Sequence, residues 1–128
     1  MEKSYPKISV VIPSFNQGAY IEETILSIIN QEYPNVEIII IDGGSTDSTI
    51  SIIKKYSNSI HYFISEKDKG QAHALNKGFA VATGDICSFL NSDDIYIGNI
   101  FWEIGRLYLD NNFKWVSSDI LIGYSKEN

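Results

Sequence analysis

The stretch Val36-Glu37-Ile38-Ile39-Ile40-Ile41-Asp42-Gly43-Gly44 decides the fold. Residues 36–41 are rich in β-branched side chains, which suit a pleated surface. The apolar run is not broken into an alternating pattern. Burial on both faces is therefore expected, the property of a central strand in a parallel sheet. Asp42 ends the run, and Gly43-Gly44 breaks it.

Working outward, the same grammar repeats. Residues 8–12 form an apolar run that stops at Pro13, a strand followed by a breaker. After a loop through Gly18, Ile21, Ile25, Ile28 and Ile29 recur at helical spacing, with Glu22 and Glu23 placed to suit the helix dipole. That helix is expected to end near Gln31. Beyond the glycines, Ser45-Thr46-Asp47 offers capping side chains, with Asp47 read as the cap of a helix through Ile50, Ile53 and Tyr56. Residues 60–64 read as a shorter strand containing His61, for which no partner is evident. A charged loop, 65–70, leads to a helix carrying Ala72, Leu75, Phe79 and Ala82, with Asn76 and Gly78 read as structural. Residues 85–90 read as a fourth, buried strand in which Cys87 is a small core residue. Ile100, Ile104, Leu107 and Tyr108 mark a fourth helix, and residues 114–118 a fifth strand.

Strands alternating with helices predict a single α/β domain over 1–128: a doubly wound, mostly parallel sheet with helices on both faces. All loops that follow a strand then gather at one edge, where such sheets bind ligands. Three of the four carry acids.

Composition narrows the function. A net charge of −6 offers no basic surface to nucleic acid. No apolar run approaches the roughly 18 residues of a membrane span. The single cysteine excludes an internal disulfide. These features favour a cytoplasmic protein, or one peripheral at the inner face of a membrane.

The chemistry points to Leu90-Asn91-Ser92-Asp93-Asp94. Adjacent carboxylates repel, and a cation or a hydrogen-bond network relieves them. Mg2+ typically takes one or two carboxylates plus substrate phosphates. The competing reading is a helix cap or turn. The loop after the first strand lacks the glycines of a dinucleotide fingerprint, and no P-loop sequence occurs. Pro13 at that strand's end argues against a receiver domain, which needs acids there, and the Gly-rich, Arg-containing loop of a sugar nucleotidyltransferase is missing.

The segment from Ile8 through Pro13-Ser14-Phe15-Asn16, with Asp42-Gly43-Gly44-Ser45-Thr46-Asp47, resembles the opening of family 2 glycosyltransferases of the GT-A fold. Asp68-Lys69-Gly70, Ala74-Leu75-Asn76-Lys77-Gly78, Gly84-Asp85 and Asn91-Ser92-Asp93-Asp94 resemble the family's continuation. The resemblance implies transfer of a sugar from a nucleoside-diphosphate sugar to a saccharide or lipid-linked acceptor, with inversion. It implies that Pro13, Ser14, Phe15 and Asn16 cup the nucleoside, with Gly44 beside them, and that Asp42 hydrogen-bonds the base. Asn91, Ser92 and Asp93 would hold the ribose and Mg2+ or Mn2+, with Asp93 the first choice as metal ligand and Asp94 the second. Gln71 and His73 could reach a phosphate, and Lys69 could add charge. Phe15 packs either on the base or as a core staple.

Members of the family are usually much longer. The chain is therefore expected to be a donor-binding part without the acceptor half, and no residue is assigned as catalytic base. The alternative is a nucleotide-binding or assembly module without turnover. An unpaired sheet edge and an aromatic face of Trp102, Tyr108, Phe113 and Trp115 predict a homodimer.

Overall fold

The computed structural model describes residues 4–111. The expected fifth strand, with Phe113 and Trp115, lies outside the described residues. Within them the order is β1 (Ile8–Ser14), α1 (Ile21–Ile29), β2 (Val36–Asp42), α2 (Thr49–Lys55), a 3-10 turn, β3 (Tyr62–Ser65), α3 (Gln71–Val81), β4 (Ile86–Phe89) and α4 (Ile100–Asn111). The strands form one sheet in the order β3-β2-β1-β4, and every pair is parallel. β2 is central, as its residues require: Ile38 to Ile41 are all buried.

Alternate residues of the strands feed two cores. Ile8, Val10, Ile12, Ile38 and Ile40 pack with Ile21, Ile25 and Ile28 of α1, Ile53 of α2 and Phe101 of α4. Val11, Ile39 and Ile41 face the other way and meet Ala74 of α3. Gly78 lets α3 sit close to the sheet, since a Cβ there would lie 2.3 Å from Cγ1 of Val11.

At the opposite edge from the strand-following loops, Glu37 ties three segments together. Its Oε1 accepts from the Ser9 hydroxyl at 2.7 Å and the Thr83 amide at 2.9 Å, and its Oε2 from the Thr83 hydroxyl at 3.0 Å. Lys7 Nζ stands 3.5 Å from Oε2. Burial works against the charge, but the Thr83 amide, the Ser9 and Thr83 hydroxyls and Lys7 outweigh it and pull the carboxyl down to about 2.

Four expectations need correction. β4 is not buried on both faces, and Cys87 is exposed rather than in the core. β4 borders only β1 among the described residues, and α3 covers β1 and β2 but not the strand beyond, so Phe89 is also half exposed. His61 precedes β3 and does have a partner: it donates its amide to the Ile38 carbonyl, and its Nδ1 accepts the Ile38 amide at 3.1 Å. Trp102 is not part of an exposed face. Its ring stacks edge-on against Tyr5 and Tyr33, and its Nε1 donates to the Gln31 carbonyl. α1 stops at Ile29, short of Gln31, whose side chain instead reaches forward to the Gly98 carbonyl and the Phe101 amide.

Candidate functional site

Because all four strands are parallel, their carboxyl ends open at one edge, and there the loops enclose a cleft of about 550 Å³. That volume suits a small-molecule ligand. Pro13, Ser14 and Phe15 contribute from β1, Gly43 from the end of β2, and Lys67, Asp68 and Gly70 from the loop after β3. Gln71 and Ala74 come from α3, and Asn91, Ser92 and Asp93 from the loop after β4. Strand order sets the axis: the cleft runs from Asp68 past Gly43 and Pro13 to Asp93.

Phe15 is 57% exposed, so it is a flat apolar surface presented to the cleft and not a core staple. Beneath it the Ser14 hydroxyl is buried, with no hydrogen-bond partner among the described residues. Asn16 does not line the cleft. It adopts a left-handed conformation (φ 50°), accepts the Thr46 amide on Oδ1 and donates its own amide to the Ser45 hydroxyl. It joins the first loop to the second. Asp47 strengthens the same seam: Oδ1 accepts the Thr49 amide and Oδ2 the Gly18 amide. The Thr49 hydroxyl and amide, with the Gly18 amide, hold this carboxyl below the usual carboxylate range. The N-cap position of α2 is Ser48, not Asp47 as expected; Asp47 lies one residue earlier and closes the turn that leads into the helix.

Asp42 lies under the cleft floor and is only 1% exposed. Its Oδ2 accepts the amides of Gly44 (3.0 Å) and Ser45 (2.7 Å) and the Ser65 hydroxyl (2.8 Å), while Oδ1 accepts the Ser45 hydroxyl at 2.6 Å. A buried carboxylate survives only with such donors. Asp42 fixes the path of Gly44 and Ser45, and neither it nor Gly44 lines the cleft.

At the other end, the turn after β4 hangs from α1. The buried Thr24 hydroxyl faces the carbonyls of Ser92 and Asp94 at 3.0 and 2.6 Å. Asn91 is braced on both sides, accepting from Gln71 Nε2 at 2.6 Å and donating to Asp94 Oδ2 at 3.2 Å. This braces α3 against the turn and leaves Asp93 exposed at the cleft wall, its carboxylate accepting no hydrogen bond among the described residues. Asp94 points to Asn91 and does not line the cleft. His73 Nδ1 accepts the Lys69 amide and so shapes the loop before α3.

The hard oxygen donors at this end suit Mg2+ or Mn2+. No group of three or more His, Cys, Asp or Glu side chains converges among the described residues. A cation here would need oxygens from a bound phosphate to complete its shell, which is how Mg2+ is commonly held.

The sequence did not single out Asp68, Lys67, Gly43 or Gln17 as cleft residues, nor Thr24 as the anchor of the acidic turn. Asp68 sits in a charged loop, and charge alone does not separate a solvated side chain from one aimed inward.

The sequence matches the family described as "Glycosyl transferase family 2" over residues 9–121. An uncharacterized glycosyltransferase of Haemophilus influenzae is 41% identical over 97 residues, covering 73% of this chain and 38% of that protein. Among solved structures, the mannosyltransferase PcManGT from Pyrobaculum calidifontis, in complex with GDP-Man and Mn2+, matches with a TM-score of 0.72 and 27% identity. That match covers 81% of this chain and 33% of the other. TarS 1-349 of S. aureus in complex with UDP-GlcNAc matches with a TM-score of 0.70 and 29% identity, over 81% of this chain and 31% of that one. The chain thus spans between about a third and two fifths of the length of these proteins.

Proposed function

Since the chain belongs to glycosyl transferase family 2, we propose that its cleft binds a nucleoside-diphosphate sugar for inverting transfer to a saccharide or lipid-linked acceptor. The observation that carries this reading is the polarity of the cleft. Its middle offers an exposed aromatic ring and bare backbone at Phe15 and Gly43, and the end beyond β4 an unengaged carboxylate at Asp93. The nucleoside lies on the first and the diphosphate reaches the second. The relatives' bound GDP-Man with Mn2+ and UDP-GlcNAc support the ligand class.

A diphosphate beside carboxylates needs neutralising. One phosphate charge about 5 Å from a carboxylate costs about 3 kcal/mol at an effective dielectric near 20. Asp93 would hold Mg2+ or Mn2+; Asp94, expected as the second ligand, is turned to Asn91 and away from the cleft. When bound, such an ion offsets the diphosphate charge and stabilises it as a leaving group. The chain's own residues set the geometry: Thr24 fixes the turn, and Gln71 with Asn91 holds α3 against it. Asn91 contributes no charge where a second acid would, so the ion depends mainly on Asp93 and the phosphates.

Calorimetry with UDP and GDP tests this. Binding should tighten at least tenfold with Mn2+ over chelator, and Asp93→Asn should remove most of that gain. Equal affinity with and without metal would make the acidic turn a structural cap and overturn the reading.

A further inference from the structure

We propose that Asp68, in the loop after β3, reads the nucleobase by accepting a ring N–H and thereby selects uracil- or guanine-type nucleotides over cytosine and adenine. This rests on the reading of the cleft as a nucleoside-diphosphate site.

A base reader must present a lone pair to the ligand. Asp42 cannot: it is buried, and both of its oxygens are engaged by Gly44, Ser45 and Ser65. Asp68 can. It lines the cleft, its Oδ1 accepts the Gly70 amide at 2.9 Å, and its Oδ2 accepts nothing among the described residues.

Gly43 makes room for it. A Cβ built on Gly43 would lie 3.1 Å from both Asp68 oxygens. The Asp68 carboxylate therefore fills the space in front of β2 that a side chain at position 43 would take. It hangs over the bare backbone at the carboxyl end of the central strand.

The axis of the cleft fixes which part of the ligand arrives there. Asp93 and Asp68 stand at opposite ends, beyond β4 and β3 of the order β3-β2-β1-β4. Phosphates drawn with a cation to Asp93 leave the base pointing at Asp68. A carboxylate at that end repels phosphate but accepts N–H donors, and the pairing edge of a base carries them unequally. Uracil presents N3–H, and guanine presents N1–H and the exocyclic N2 hydrogens. Cytosine and adenine carry only an exocyclic amine there, beside a ring lone pair at N3 or N1, so a carboxylate set to meet the ring position faces that lone pair, which is repulsive. Buried polar groups left facing like groups are what make such discrimination effective.

The test is a set of titrations of the 128-residue chain with UDP, GDP, CDP and ADP, all with Mn2+. Wild type should bind UDP and GDP at least tenfold more tightly than CDP and ADP. Asp68→Asn should bring CDP within threefold of UDP, because the carboxamide can donate to cytosine N3. Asp68→Ala should flatten the ranking without reversing it. In both variants the ratio of affinities with Mn2+ and with chelator should stay as in wild type, and circular dichroism should report an unchanged fold. A wild-type ranking that survives both substitutions overturns the proposal while leaving the cleft a nucleotide site. So does a loss of metal dependence in the Asp68 variants with the ranking intact, which would place the phosphates at this end. Failure of all four nucleotides to bind wild type overturns both readings.

Discussion

Replacing Glu37 by Gln removes the charge from the Glu37 clasp while keeping its shape, and the cost should depend steeply on pH. The folded carboxyl titrates at about 2, against an ordinary value of 4.5. The side chain is 13% exposed, so solvent screens it little. A drop of that size corresponds to about 3 kcal/mol of stability at neutral pH, at 1.36 kcal/mol per pH unit. The folded value is the lower one, so this stability is present above pH 4.5 and is lost as pH falls toward 2. At pH 3 the same linkage leaves less than half of it, about 1 kcal/mol. The variant keeps one acceptor for the Ser9 and Thr83 donors, but its amide nitrogen meets a hydroxyl or Lys7 instead of accepting from it. Urea unfolding of both proteins at pH 7 and pH 3 measures the difference. A destabilisation of about 3 kcal/mol at pH 7 that falls by half or more at pH 3 is expected. A difference below about 0.5 kcal/mol at pH 7, within the range of ordinary surface changes, would refute the clasp. So would a large difference that is the same at both pH values, because it would show packing rather than charge.

Two other substitutions probe the scaffold. Gly78→Ala places a methyl group 2.3 Å from Val11 Cγ1, so α3 must shift or Val11 must change rotamer. Overpacking of this kind costs about 1–3 kcal/mol, and thermal melting should show it as a clear fall in Tm. Asp42→Asn puts an amide donor among four donors. It should cost about 3 kcal/mol in denaturation and weaken UDP binding with and without Mn2+ by the same factor, since it loosens the Gly44–Ser45 path and leaves Asp93 untouched.

The parallel core was legible because β-branched runs such as residues 38–41 announce burial on both faces. The helices were legible from spacing, and the cleft from the rule that parallel strands share a carboxyl edge. What escaped depended on contacts far apart in sequence. Cys87 lies in an apolar run like any core strand. Only the lateral limit of α3 reveals that no described helix covers its face. His61 meets Ile38 across the sheet, and Thr24 meets Ser92 from another element, so neither pairing leaves a local pattern. At the site, Ser14, Phe15, Gln71 and Asp93 were expected in the cleft, and the structure brings them there. Asp42 and Asp68 are both acids in loops that follow a strand and contain glycine, and sequence could not tell which one is turned inward.

The bonding of Asp42 has a consequence for how the protein can change. One buried carboxylate, Asp42, orders the loop after β2 through four bonds, whereas Asp68 makes one bond of its own, to the Gly70 amide in the next loop. On the proposed reading, scaffold and base reader are different residues, and substitutions of Asp68 should alter which nucleotide is preferred without first destabilising the sheet beneath. All four bonds to Asp42 come from the chain itself, so the proposed nucleotide binding should proceed with a heat-capacity change set by the buried ligand surface alone, without the added contribution of a folding segment.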